Sequence, residues 1–154
     1  MNGDLTDLYQ EMIIDHGRRP RNFGELEDAN RTAEAVNPLC GDELVLYVKL
    51  GDGRIADITF LGAGCAISQA SASLMTMALK GKTEEEALAL FGRMHAMLTE
   101  GLDSEAHTAE LGKLAVLSGV WEFPTRVKCA TLAWHTLRSA LEPNGAEDST
   151  ERQR

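Results

Sequence analysis

Three cysteines, Cys40, Cys65 and Cys129, carry the sharpest chemical signal in the chain. Their number is odd and too small for a disulfide framework, and no charged-then-apolar secretory leader opens the sequence. Free thiols in a reducing, cytoplasmic setting are therefore expected. Such thiols bind metal or attack sulfur when their surroundings hold them as thiolates, and are otherwise small buried hydrophobes. No CxxC spacing joins the three, so the elements that carry them must decide.

Leu44, Leu46, Val48 and Leu50 alternate along one run and Ala56, Ile58 and Phe60 along the next, with Gly51-Asp52-Gly53 between them. That pattern predicts a β-hairpin. A reversal centred on Asp52 pairs residues whose numbers sum to about 104, which sets Cys40 opposite the neighbourhood of Gly64, one residue from Cys65. Cys65 lies where a helix begins and Cys129 is placed in the first turn of the last helix; helix N-termini favour the thiolate. Tetrahedral zinc needs a fourth donor. His16 ends the first helix, His95 is mid-helix, His107 lies in a polar stretch and His135 is six residues beyond Cys129. Each reads as solvated or locally hydrogen-bonded rather than as a ligand. Asp42, two residues after Cys40 across Gly41, is the better candidate, although its position also suits a solvated residue at a strand start.

The remaining elements follow from periodicity. Leu5, Leu8, Tyr9, Met12 and Ile13 form a helical stripe that Gly17 should stop. Residues 17–39 read as loop with a short strand near Arg31 to Val36. Ala66 to Lys80 is a small-residue helix closed by Gly81, and Thr83 with Glu86 is a capping box for a helix that faces inward through Ala87, Leu90, Phe91, Met94 and Leu98 and ends at Gly101. Leu111, Leu114 and Ala115 suggest a shorter helix, and Pro124 opens the last one, with Val127, Thr131, Trp134, Leu137 and Leu141 inward. Met75, Met77, Met94, Met97 and Trp134 are assigned to the core. Strands followed by helices predict an α+β domain over residues 1–141, a small antiparallel sheet of about three strands with helices on one face. Residues 142–154 read as a disordered polar tail.

The 154 residues are 44% apolar and 25% charged, as in ordinary soluble domains. Fifteen Lys and Arg against 24 Asp and Glu leave a net charge of −9, which argues against a nucleic-acid partner. No apolar run approaches the ~20 residues of a membrane span. Arg18, Arg19 and Arg21 form a basic patch, either a solvated turn or a docking surface.

Four blocks, DHGRRPRNFG from Asp15, NPLCGDE from Asn37, GAGCAIS from Gly62 and RVKCATLAWH from Arg126, make the chain resemble the IscU/NifU-like iron–sulfur assembly proteins, most closely their SufU branch. IscU-type proteins carry His directly before the third cysteine, where this chain has Lys128; residues 101–121 resemble the SufU insertion. The chaperone-recognition run of IscU proteins is replaced by Phe123-Pro124-Thr125-Arg126-Val127-Lys128, so dedicated chaperone partners are not expected. The resemblance implies a zinc site of Cys40, Asp42, Cys65 and Cys129, with its charge offset in part by Arg126 and Lys128. It also implies that Cys40 accepts sulfur from a pyridoxal-phosphate cysteine desulfurase of the SufS type and that downstream iron–sulfur machinery receives it. The alternative is a scaffold holding a transient [2Fe–2S] cluster or iron on the same cysteines.

Overall fold

The computed structural model describes residues 2–38, 41–101 and 111–142, with the backbone alone for 2–8 and Trp121. Cys40, His107 and residues 143–154 of the expected tail lie outside the described residues. The order is α1 (Asn2–Arg18), β1 (Arg31–Asn37), β2 (Asp42–Gly51), β3 (Arg54–Ala63), α2 (Ala66–Leu79), α3 (Glu84–Glu100), a 3₁₀ helix (Gly112–Glu122) and α4 (Pro124–Leu141). The strands form one antiparallel sheet in the order β1-β2-β3. Ala35, Leu44, Leu46, Val48, Ile58 and Phe60 are buried on its inner face while Glu34 and Glu43 are exposed, the alternation of a sheet covered on one side. α2 packs on β3, α4 packs on β1 and β2, and α1, α3 and the 3₁₀ helix form the outer layer. The expected α+β architecture is the observed one.

The hairpin register differs from expectation. Asp52 and Gly53 both have positive φ, 56° and 77°, so they alone form a two-residue turn of the kind that matches strand twist. Gly51 therefore faces Arg54, and a bulge between Lys49 and Leu50 adds one more residue on β3. Beyond the bulge Glu43 faces Ala63 and Leu44 faces Gly62, two residues out from the simple reversal about Asp52. The bulge takes up Ala56, which is exposed, and turns Ile55 into the core in its place.

Gly17 does not stop α1, which runs on to Arg18. A Cβ at position 17 would lie 3.0 Å from the Ala66 Cβ and 3.1 Å from its backbone, so this glycine lets α1 approach the start of α2. His16 is buried there, its Nδ1 2.7 Å from Ser73 Oγ, which also accepts from Arg21 N at 2.8 Å. Residues 22–24 cover the edge of β3: Phe60 N donates to Asn22 O, Gly24 N donates to Phe60 O, and the Phe23 ring meets Phe60 edge-on at 5.2 Å.

The capping box of α3 is formed in both directions and Gly101 closes the helix in the left-handed region. The stretch after Leu111 is a 3₁₀ helix, whose three-residue turn puts Leu114, Leu117 and Val120 in line, all buried. In α4, Trp134 is buried and its indole N–H donates to Ser71 Oγ, which donates to Ala130 O. Met75, Met94 and Met97 are core residues; Met77 is 39% exposed and lines an open hollow with Leu74, Leu90 and Leu114.

Candidate metal centre

Asp42 opens β2, Cys65 is the N-cap of α2 and Cys129 lies in α4. One oxygen of Asp42 and the two sulfurs all lie within 4.8 Å of one another. Asp42 and Cys129 are buried completely and Cys65 is half-buried. Burying a carboxylate so fully costs free energy unless it is hydrogen-bonded or holds a cation. Asp42 Oδ1 accepts the Cys65 backbone N–H at 2.8 Å, while Oδ2 lies 3.8 Å from Cys65 Sγ.

Two glycines make this possible. Gly41 (φ 74°) turns the chain into β2 and its N–H donates to Asn37 O at 2.8 Å. Gly64 (φ 151°) brings β3 against Asp42, and a Cβ there would collide with the carboxylate. The Cys65 side chain does not cap α2; it is left to face Asp42 and Cys129.

Cys129 is the sixth residue of α4, in the second turn rather than the first, with Sγ 3.8 Å from Thr125 O. The charge of the helix terminus fades within the first turn, so the cation that supports this thiol is a side chain. Arg126, one turn earlier on the same helix face, hydrogen-bonds Cys129 and lies close to both sulfurs; these contacts hold its guanidinium above its ordinary pKa, with the Cys129 bond the largest cause. Lys128 is exposed on α4.

Zinc, with bonds of about 2.3 Å to sulfur and 2.0–2.2 Å to oxygen, separates a tetrahedral sulfur and oxygen by roughly 3.5–3.7 Å and two sulfurs by roughly 3.8 Å. The 3.8 Å between Oδ2 and Cys65 Sγ is close to that spacing and all three donor atoms lie within 4.8 Å of one another; two thiols with a carboxylate suit the metal, so these residues fit it after a small contraction and with a fourth ligand still to be supplied. Cys40, the expected fourth, lies outside the described residues. A simple reversal about Asp52 sets Cys40 across from the neighbourhood of Gly64; the register, with Glu43 facing Ala63, sets Asp42 against Gly64. Missed by the sequence reading were Gly64 and the Cys65 N–H, whose only sequence signal is the glycine directly before the cysteine, and Asn37, buried at the end of β1 in register with Asp42.

The described histidines lie elsewhere. His16 is held by Ser73. His135 is buried against Phe91 and His95, its Nδ1 without a hydrogen-bond partner among the described residues; burial, then the charges of His95 and Arg138, push its pKa down to about 4. In the basic patch Arg18, Arg19 and Arg21 are exposed, but Asp15 sits 2.7 Å from Arg21 and 3.5 Å from Arg19. The Arg21 hydrogen bond holds the Asp15 carboxyl below its usual range.

Residues 8–140 match the family described as the NifU-like N-terminal domain. The chain is 44% identical over 138 residues to the "iron-sulfur cluster assembly scaffold protein IscU" of Streptococcus pyogenes, covering 90% of this chain and 85% of that protein. It is 41% identical over 140 residues to the "zinc-dependent sulfurtransferase SufU" of Bacillus subtilis, covering 91% and 93%. Among solved structures, an iron–sulfur cluster assembly scaffold protein for the SUF system from Fervidobacterium islandicum superposes with a TM-score of 0.79 at 37% identity, over 86% of this chain and 95% of that one.

Proposed function

Since the chain belongs to the family of NifU-like N-terminal domains, we propose that it serves iron–sulfur cluster biogenesis by accepting sulfur from a cysteine desulfurase, with Cys40 as the acceptor and Cys40, Asp42, Cys65 and Cys129 as ligands of zinc. The observation that carries this reading is the convergence of the Asp42, Cys65 and Cys129 donor atoms within 4.8 Å beside a glycine-flanked turn. Cys40 precedes Gly41 directly, and Gly41 is bonded to Asn37 at the edge of that cluster. Bound there, zinc would keep the thiols deprotonated at neutral pH.

The Cys40 thiolate attacks the terminal sulfur of the desulfurase persulfide. A bond forms between Cys40 Sγ and that sulfur, the bond to the desulfurase cysteine breaks, and that cysteine leaves as a thiolate. No net oxidation occurs, since the sulfur arrives already bonded to sulfur. Arg126, against both described thiols, balances part of the negative charge that three thiolates and a carboxylate bring to one place. Arg18, Arg19 and Arg21 are proposed as the surface that meets an acidic face of the desulfurase, with Asp15 fixing the geometry of two of them.

Lys128, in place of a further imidazole ligand, and the zinc-dependent relative favour sulfur transfer, with a desulfurase of the SufS type as donor. The similarity to a scaffold protein supports a second reading, a [2Fe–2S] cluster built on the same thiolates. Metal analysis and an absorption spectrum of anaerobically purified protein separate the two. One zinc per chain without visible absorbance supports sulfur transfer; iron with acid-labile sulfide supports the scaffold. Among the described residues no helix is long and apolar enough to cross a membrane, and we place the protein in the cytoplasm.

A further inference from the structure

The metal cluster depends on a glycine that offers it no donor. We infer that Gly64 is a positioning residue for Asp42: it brings the Cys65 backbone N–H onto Oδ1, so that the carboxylate presents Oδ2 alone to the two thiols. The inference rests on the metal-site reading above and not on the sulfur-transfer step.

Gly64 has a φ of 151°, and a Cβ there would collide with the Asp42 carboxylate and come within 3.0 Å of its Cα. Any side chain at position 64 must therefore push Asp42 off the Cys65 N–H, which it now meets at 2.8 Å. That bond occupies Oδ1. Oδ2 is the oxygen turned to Cys65 Sγ, at 3.8 Å. Carboxylates otherwise bind metals through one oxygen or two, and a side chain free to turn could use its second oxygen to close any position that a departing thiolate leaves open. A charge-assisted bond to the backbone opposes that turn. Asp42 is also completely buried, so it cannot relax outward into water. Positive φ alone does not give the role: among the described residues, a Cβ at Gly41 or Gly81, also at positive φ, would meet nothing within 4 Å, and the close approach a Cβ at Gly62 would make is to the Glu43 backbone oxygen and not to Asp42.

A double-mutant cycle on the full chain tests this, read by competition for zinc against a chromophoric chelator and by amide hydrogen exchange at Cys65 in the metal-free protein. Gly64→Ala and Asp42→Ala should each weaken zinc binding tenfold or more, and the double variant should fall within threefold of the weaker single, because Gly64 acts only through Asp42. Each single variant should also lose the protection of the Cys65 amide while the amides of α3 and α4 keep theirs. Gly81→Ala also puts a side chain at positive φ (89°), away from the cluster, and should leave zinc affinity and Cys65 exchange unchanged. If Gly64→Ala alone fails to fold, Gly64→Ala with Asp42→Ala, relieved of the carboxylate, should fold. Multiplying losses in the double variant, a Cys65 amide that stays protected in Gly64→Ala, or failure of the double variant to fold would overturn the inference. Failure of Cys40 to accept sulfur would leave every one of these readings as it is.

Discussion

Replacing Asp42 by Asn separates what the carboxylate does for the fold from what it does for the metal. Asn keeps an oxygen at the Oδ1 position, so the 2.8 Å bond from the Cys65 N–H survives. Its amide nitrogen takes the place of Oδ2, 3.8 Å from Cys65 Sγ, and brings neither negative charge nor a lone pair to the metal. Groups that merely support a ligand cost 10–100-fold in affinity when removed, so loss of the ligand itself should cost about 100-fold or more. Zinc at about 1,000 times its dissociation constant adds about 4.1 kcal/mol to stability, whereas at about 10 times it adds only about 1.4 kcal/mol. The difference of about 2.7 kcal/mol is worth roughly 8 °C in a chain of this length. Differential scanning calorimetry at fixed free zinc, with a chelated control, should show metal-free Asp42→Asn melting within a few degrees of the metal-free wild type and a zinc-induced rise smaller by roughly 8 °C. Asp42→Ala, which also strips the Cys65 N–H of its acceptor, should lose about a further 1–3 kcal/mol in the metal-free form. An unchanged zinc-induced rise in Asp42→Asn would refute the assignment of Asp42 as a ligand.

His135 is buried, and its pKa falls from the ordinary 6.5 to about 4 on folding. The folded state then binds fewer protons, so the stability His135 contributes is complete above pH ~6.5 and lost as pH falls toward 4, at most about 3 kcal/mol; urea unfolding of His135→Phe should show a shallower loss across that window, and an unchanged slope would count against it. Gly17→Ala, whose Cβ would lie 3.0 Å from that of Ala66, should destabilise by about 1–3 kcal/mol through overpacking at the α1–α2 crossing, despite alanine's better helix propensity; a thermal melt showing stabilisation would mean that the crossing has room. Reversing Arg18, Arg19 and Arg21 together to Glu should weaken activation of the desulfurase and flatten its salt dependence, while activation equal to wild type at every salt concentration would remove the docking role.

The sheet, the capping box of α3 and the helices that bury Leu90, Met94 and Trp134 were legible because local pattern and tertiary burial agree there. The places where the reading slipped depend on partners distant in the chain. Gly17 looks like a helix stop until Ala66 is seen against it. Ala56 fits the alternation, yet the bulge after the type of turn formed by Asp52 and Gly53 hands its place to Ile55. Met77 has the same composition cue as Met75 but stays 39% exposed among the described residues, and nothing in the chain marks residues 112–122 as 3₁₀ rather than α. In the metal centre, residue types picked out Asp42, Cys65 and Cys129, which the fold does bring together. The register expected for the hairpin sets the wrong residue opposite Gly64, whose role as a space that Asp42 occupies emerges only from atoms; Arg126, expected from the chain to offset the charge of the site, does stand against both sulfurs.

The most direct test of sulfur acceptance at Cys40 combines desulfurase turnover with intact-protein and peptide mass spectrometry, run with wild-type chain and with Cys40→Ala. Wild type should raise turnover and carry the mass of one added sulfur on the peptide containing Cys40, and Cys40→Ala should do neither while keeping Cys65 and Cys129 unmodified. Undiminished turnover with Cys40→Ala, or sulfur found on Cys65 or Cys129 instead, would contradict the account.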